Sequence, residues 1–325
     1  MNTNTNSTVF LKDKKSYNKK KSYIRRLWGD VARDRYLYAM LIPVVAYYAI
    51  FKYAPMYGVT IAFKNFRFAD GILGSSWVGF ANFQRMLRSS EFLLILKNNL
   101  LLNLYTLVFQ FPAPIILAIL LNEIRNKYFK KTTQSLLYIP HFISWVALGS
   151  IIMGILSPST GSINFLLVKL FKIEPIYFMT STFWWPIVFV LSSIWKSAGW
   201  GTIIYLAAIT GINPELYEAA HIDGAGRFKC ILNITIPCIR GTIAVLLILN
   251  MGHFLELGFE HIYSLQNASV RSVADVIATY VYRVGLQGMQ YSYTSAIGLF
   301  QSLVGLILVL LTNFIVKKMG EGGIW

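Results

Sequence analysis

Six stretches of the chain are apolar for long enough to cross a bilayer: Tyr36–Tyr53, Leu100–Leu121, Leu136–Leu156, Phe183–Ile209, Gly241–Phe259 and Ile297–Val316. A helix needs about 20 predominantly apolar residues to span the hydrocarbon core, and each run comes close to that length. The pattern predicts an all-α membrane protein with six transmembrane helices. The first run follows a polar leader of 35 residues, lacks a small-residue cleavage site and precedes five further runs, so it reads as a retained anchor and not a signal peptide.

The intervals between runs are not uniformly polar. The segment after the first run, "MYGVTIAFKNFRFADGILGSSWVGFANFQRML", is rich in Gly and aromatics and reads as a folded or interfacial loop, with Trp77, Phe80 and Phe83 suited to the headgroup level. Ser157–Thr182 contains "INFLLVKLF", a short interfacial helix by its apolar spacing, and Glu260–Tyr293 contains the helix-like "VADVIATYVYRVGL". Pro112, Pro114 and Pro140 fall inside runs, where loss of a backbone hydrogen bond predicts kinks or loosened turns. The runs show no internal repeat, which weighs against an inverted-repeat transporter.

Composition agrees with the pattern. The chain of 325 residues is 55% hydrophobic and 14% charged, with mean hydropathy +0.53, which excludes an ordinary soluble domain. Charge supplies the orientation. Ten Lys and Arg lie between Lys12 and Arg35, four more (Arg125, Lys127, Lys130, Lys131) follow the second run, and Lys317 and Lys318 follow the sixth. The positive-inside rule makes all three regions, and both termini, cytoplasmic. The organisation expected is a basic leader at 1–35 and a six-span domain at 36–325. The net charge of +16 is concentrated beside the membrane, where attraction to anionic lipid accounts for it without nucleic acid. Cys230 and Cys238 fall in a cytoplasmic stretch with no zinc-type spacing, and read as packing thiols.

The cytoplasmic interval before the fifth run is "NPELYEAAHIDGAGRFKCILNITIP", residues 213–237. Asn213 suits an N-cap, Pro214 the first helical position and Glu215 the positive end of the helix dipole, so a short helix starts there. Asp223 and Gly224 suit its end, and a second short helix is expected from about Arg227 until Pro237 interrupts it. Ala219 and Ala220 leave one patch nearly bare of side chains for a partner to approach, while Glu218 offers a charge for a partner's Arg or Lys. From helix signals alone an amphipathic helix lying on the inner leaflet is the favoured reading.

The spacing narrows the choice: Glu218-Ala219-Ala220, three residues, Gly224, nine residues, then Ile234-Thr235-Ile236-Pro237. It resembles the EAA motif of binding-protein-dependent ABC importer permeases, with Ile236 where that family usually has Leu. "AILLNE", "YIPHFISWV", "IWKSAGWGTIIYLAAITGINPELYEAAHIDGAG", "GFEHIYSL" and the ending "GGIW" extend the resemblance over about residues 35–325, toward the oligosaccharide and polysaccharide branch that includes the lipoprotein-dependent and alginate-type systems. The resemblance implies a type I importer fold, a second permease subunit beside this one, two ATPase subunits docked on the EAA helices through Glu218, Ala219, Ala220, Asp223 and Gly224, and an extracytoplasmic binding protein that delivers the sugar. ATP and Mg would be bound by the ATPase alone. In keeping with that, no G-x-x-x-x-G-K-[ST] string occurs in the chain, so it has no P-loop and no cofactor of its own is expected.

Polar residues inside the runs are the candidates for a sugar path. At 100° per residue Ser192, Lys196 and Trp200 share a face of the fourth run, and Asn250, His253 and Glu256 a face of the fifth. The two stripes could line a path, or Lys196 could simply satisfy Glu256 or Asn250. A relay through His253 and Glu256 would instead suit a proton-coupled secondary sugar transporter, the competing reading. A metalloenzyme is disfavoured, because His141, His221, His253 and His261 form no metal-ligand spacing.

Overall fold

The computed structural model describes residues 33–320 and 323; the basic leader up to residue 32 and most of the "GGIW" ending lie outside the described residues. The chain divides into two units, 1–60 and 61–325. The described part of the first is helical from Arg35, within a run, Arg35–Phe63, that is long and apolar enough to cross a membrane.

In the second unit the spanning helices are Ser90–Glu123, Trp184–Thr210, Arg227–Gly252 and Tyr291–Lys318. The third predicted run is different. It is a pair of helices, Lys127–Phe142 and Trp145–Ile155, bent by 104°, and the described residues hold six crossings only if that pair counts as one broken span. The interfacial helix is present as Ser162–Phe171, and the segment before the last span is a chain of short helices, Phe259–Leu265, Arg271–Ala274 and Ile277–Tyr280, leading into a π-helical turn at Val281–Gln287. The first loop is folded, with a two-residue antiparallel ladder pairing Lys64 with Trp77 and Asn65 with Ser76. Phe63 stacks on Trp77 there, 5.6 Å between ring centroids.

The prolines explain the shape. Pro55, Pro112 and Pro237 each stand two residues after a π-helical segment, Ala49–Tyr53, Thr106–Gln110 and Ile231–Thr235. A proline removes a donor and crowds the carbonyl four residues back; shifting the ladder by one residue just ahead of it absorbs both effects without a break. For this reason Pro237 does not end a helix, contrary to the expectation above: Arg227–Gly252 runs through it as one helix. Pro140 behaves otherwise. It is buried in a tight turn at Ile139–Phe142, Ile143 is extended, and Ser144 starts a new helix by accepting the Ala147 amide at 3.2 Å.

Packing follows the helices in layers. Toward one end, Trp185 and Phe189 of the fourth span meet Ile262, Leu265 and Val276, with the Trp185 indole donating to the Leu265 carbonyl at 3.0 Å. Toward the other, Tyr205 and Ile209 meet Ala118 and Ile239. A Cβ at Gly199 would collide with the Leu137 backbone, so glycine is what lets the broken segment lie so close to the fourth span.

Candidate functional site: a surface helix and the polar seam of the fourth span

The surface helix forms as its caps dictate. Pro214–Ile222 begins behind Asn213, whose Oδ1 accepts the Glu215 amide at 3.1 Å. At the other end Gly224 takes φ +77°, its amide donates to the His221 carbonyl at 3.0 Å, and the Ala225 amide reaches back to Ala220 at 2.8 Å. That paired 5→2 and 6→1 closure is a Schellman turn, which a Cβ at Gly224 would strain. The spacing Ala220 to Gly224 is thus the geometry of a helix end. Glu218, Ala219 and Asp223 are exposed and Ala220 is half-buried. Ile222 and Phe228 stand out from the same corner, 87% and 72% exposed. Tyr217 fastens the helix to the fifth span by a 2.9 Å hydrogen bond to Thr235.

The predicted stripe on the fourth span is one face, but its partners differ from those expected. Lys196 donates to the carbonyl oxygens of His141, at 3.0 Å, and of Ile143, and stands 5.2 Å from the Trp145 ring centre. These are carbonyls that the break in the third segment leaves without helical donors, and an ammonium with three donors satisfies them. Trp200 stacks on the His141 ring, 4.6 Å apart and 4° from parallel. Ser192 hydrogen-bonds His261 Nε2 at 2.9 Å, and the His261 ring lies between Trp145 and Phe189. The whole stripe grips the broken segment and the helix Phe259–Leu265.

The second stripe is corrected. The fifth span ends at Gly252, so only Asn250 is on the helix; His253 and Glu256 lie in the turn beyond it and pair with each other at 2.8 Å with both side chains largely exposed. The apolar count extended the helix to Phe259, but the backbone turns at His253, where the Asn250 carbonyl accepts its amide. Neither Glu256 nor Asn250 is the partner of Lys196.

Asn250 instead borders a cavity of about 260 Å³ shared with Thr106, Gln110, Ser197 and Tyr205. Gln110 lies in the π-helical turn of the second span, accepts from Ser193 and donates to Ser197, both at 2.8 Å. Sequence reading missed it. So it did Asn98 and Asn99, buried on the same span, whose amides hold the carbonyls of Ser272, Asp275 and Leu255. Asn103 and Gln110 inside the apolar run Leu100–Leu121, with Asn98 and Asn99 directly ahead of it, were the available signal.

An apolar helical bundle with a polar seam and a capped surface helix is the architecture of a polytopic membrane protein. The match to the family described as binding-protein-dependent transport system inner membrane component, over residues 110–321, makes the chain a member of that ABC permease family. It is 49% identical over 94% of its length to the polygalacturonan/rhamnogalacturonan transport system permease protein YteP of Bacillus subtilis, covering 95% of that protein, and 47% identical to protein LplB of the same organism, covering 90% of this chain and 92% of the relative. Among solved structures it matches a bacterial alginate ABC transporter, crystallised in complex with an alginate pentasaccharide-bound periplasmic protein, with TM-score 0.85 and 43% identity over 92% of this chain and all of that one. The expected family and type I fold are borne out. The chain is a non-catalytic, multi-pass inner-membrane permease, and the proton-coupled alternative is set aside.

Proposed function

We propose that this chain is one of two permease subunits in an ATP-driven importer of oligosaccharides released from polysaccharides. The observation that carries the reading is the surface helix Pro214–Ile222, which presents Glu218, Ala219 and exposed Ile222 on a rigid, doubly capped element. That helix is the handle for one of two partner ATPases, which bind the ATP and Mg; it and both termini face the cytoplasm. An extracytoplasmic binding protein delivers the sugar to the opposite face, a reading supported by the family description and by the periplasmic protein bound in the alginate transporter structure.

Work reaches the path through two links. The handle is tied to the fifth span by Tyr217 and Thr235, and the fifth span contributes Asn250 to the polar cavity. The fourth span, with Gln110 opposite Ser193 and Ser197, forms the other wall of that cavity, and Lys196 carries the broken segment with it. Rigid-body motion of the handle then exchanges inward for outward opening of a two-state bundle. Reconstitution with its partner chains tests this: ATP-dependent uptake of pectin-derived oligosaccharide that needs both ATPase and binding protein is expected, and uptake by this chain alone driven by a pH gradient would overturn it.

A further inference from the structure

We propose that the pocket folded from the segment between the fifth and sixth spans is a subsite for a sugar bearing a carboxylate, held through Arg271. The pocket measures about 500 Å³, within the range of small-molecule sites. Its lining combines three chemistries. Arg271 and Arg283 supply guanidinium groups, Tyr263 and Tyr282 supply rings 5.7 Å apart, and Gln266 and Gln287 supply amides.

The two arginines are not equivalent. Arg283 is consumed by the protein, bonded to Asp275 at 2.5 Å and to Glu91 at 3.0 Å. Asp275 is buried and also accepts from Thr279 at 2.6 Å, so its oxygens are taken. Arg271 approaches Asp275 with its Nε, at 3.5 Å, without a hydrogen bond to it, and its side chain is 54% exposed. Its two terminal nitrogens make no hydrogen bond among the described residues. Asp275 therefore orients a guanidinium whose outer edge remains open, the arrangement that receives a carboxylate through two parallel hydrogen bonds. Phe259 stacks on Tyr263 at 5.0 Å and lies 5.0 Å from Tyr282, which fixes both rings; an aromatic face beside amide donors suits the C–H face and hydroxyls of a sugar ring.

Position favours the same occupant. One crossing, Arg227–Gly252, separates the surface helix from this segment, so the pocket faces the side opposite the handle. This inference rests on the import reading, under which that is the side where the sugar arrives. An acidic loop of the binding protein would be the other occupant of such charge.

The test uses the assembled transporter with its partner chains in proteoliposomes and compares uptake of trigalacturonate with that of its methyl ester, which keeps the shape and removes the charge. Binding-protein selectivity is common to wild type and variant, so a change in the acid-to-ester ratio of half-saturating concentrations belongs to the permease. Arg271→Gln is expected to reduce the preference for the acid about tenfold, and Arg271→Lys, which keeps charge but not the fork, about threefold. An unchanged ratio in both variants overturns the subsite while leaving the import reading intact. Equal losses for acid and ester, with weaker capture of sugar-free binding protein, assign the pocket to protein docking and also overturn it. Failure of the wild type to take up either sugar removes the import reading for this sugar class and the subsite with it.

Discussion

Lys196 and His141, 55 residues apart, are joined by a hydrogen bond from the ammonium to a backbone carbonyl at 3.0 Å, and that bond spans the sharpest bend in the transmembrane region. The bend exposes carbonyls that a continuous helix would have satisfied, and the lysine replaces the missing amides.

Replacing Lys196 by Met should therefore destabilise the broken segment, by about 1–3 kcal/mol for a charged donor withdrawn from partly buried acceptors. A lower melting temperature in detergent is the expected readout, with Lys196→Arg closer to wild type. Glu256→Gln should change stability by less than about 1 kcal/mol, since its partner His253 is exposed. Rescue of Lys196→Met by Glu256→Gln would contradict this assignment.

Gly224→Val should strain the Schellman turn by about 1–2 kcal/mol and misdirect the end of the surface helix, whereas Gly224→Asn, which tolerates a left-handed backbone, should be mild. The measurement is co-purification of the ATPase with membrane-inserted permease. Ala220→Trp and Glu218→Lys should act at the same step, by bulk and by charge, without affecting insertion. Normal ATPase association in all of these would remove the handle.

Topology is open to labelling. In a background lacking buried Cys230 and exposed Cys238, a cysteine replacing exposed Trp77 or Ala268 should react with a membrane-impermeant thiol reagent in intact cells. Ala268 is preferable to its neighbour Asn267, whose amide holds the Met179 carbonyl at 2.6 Å. A cysteine at Arg125 should stay unlabelled until the cells are opened.

How much of this was legible in advance depended on range. The surface helix was readable end to end because its signals are local: Asn213 and Gly224 act within a few residues of themselves. Five of the six spans were readable because apolar length is a local sum. The broken span was not, since Pro112, Pro140 and Pro237 look alike in sequence. Two are absorbed by π-helical turns, while the third is followed by extended Ile143 and a fresh cap at Ser144, held by a lysine from another helix. Lys196 stood out as unusual, but the side-chain partners offered for it, Glu256 and Asn250, are not the backbone carbonyls it bonds. Residue types advertise side-chain acceptors such as Glu256, but backbone carbonyls become acceptors only where the fold breaks a helix.

Gln110 is the residue on which the path reading depends. It sits where the π-helical turn widens the second span, and its amide uses one atom for each of Ser193 and Ser197, closing the cavity that Asn250 borders. Gln110→Leu keeps the volume and removes both bonds. Ser193 also loses its acceptor, but Ser197 keeps its own donation to the Ser193 carbonyl at 2.6 Å, so the expected stability loss is modest, about 1–2 kcal/mol. If the cavity belongs to the translocation path, the variant should assemble with its ATPases and retain binding-protein association, yet lose about tenfold in the uptake rate or change which oligosaccharides stimulate ATP hydrolysis. Gln110→Glu keeps the acceptor for Ser193, loses the donor to Ser197, and should oppose an acidic sugar more than a neutral one of the same length, a difference that a purely structural glutamine would not produce. Equal uptake of both sugars by Gln110→Leu, Gln110→Glu and wild type would confine the residue to helix packing and move the path elsewhere in the bundle.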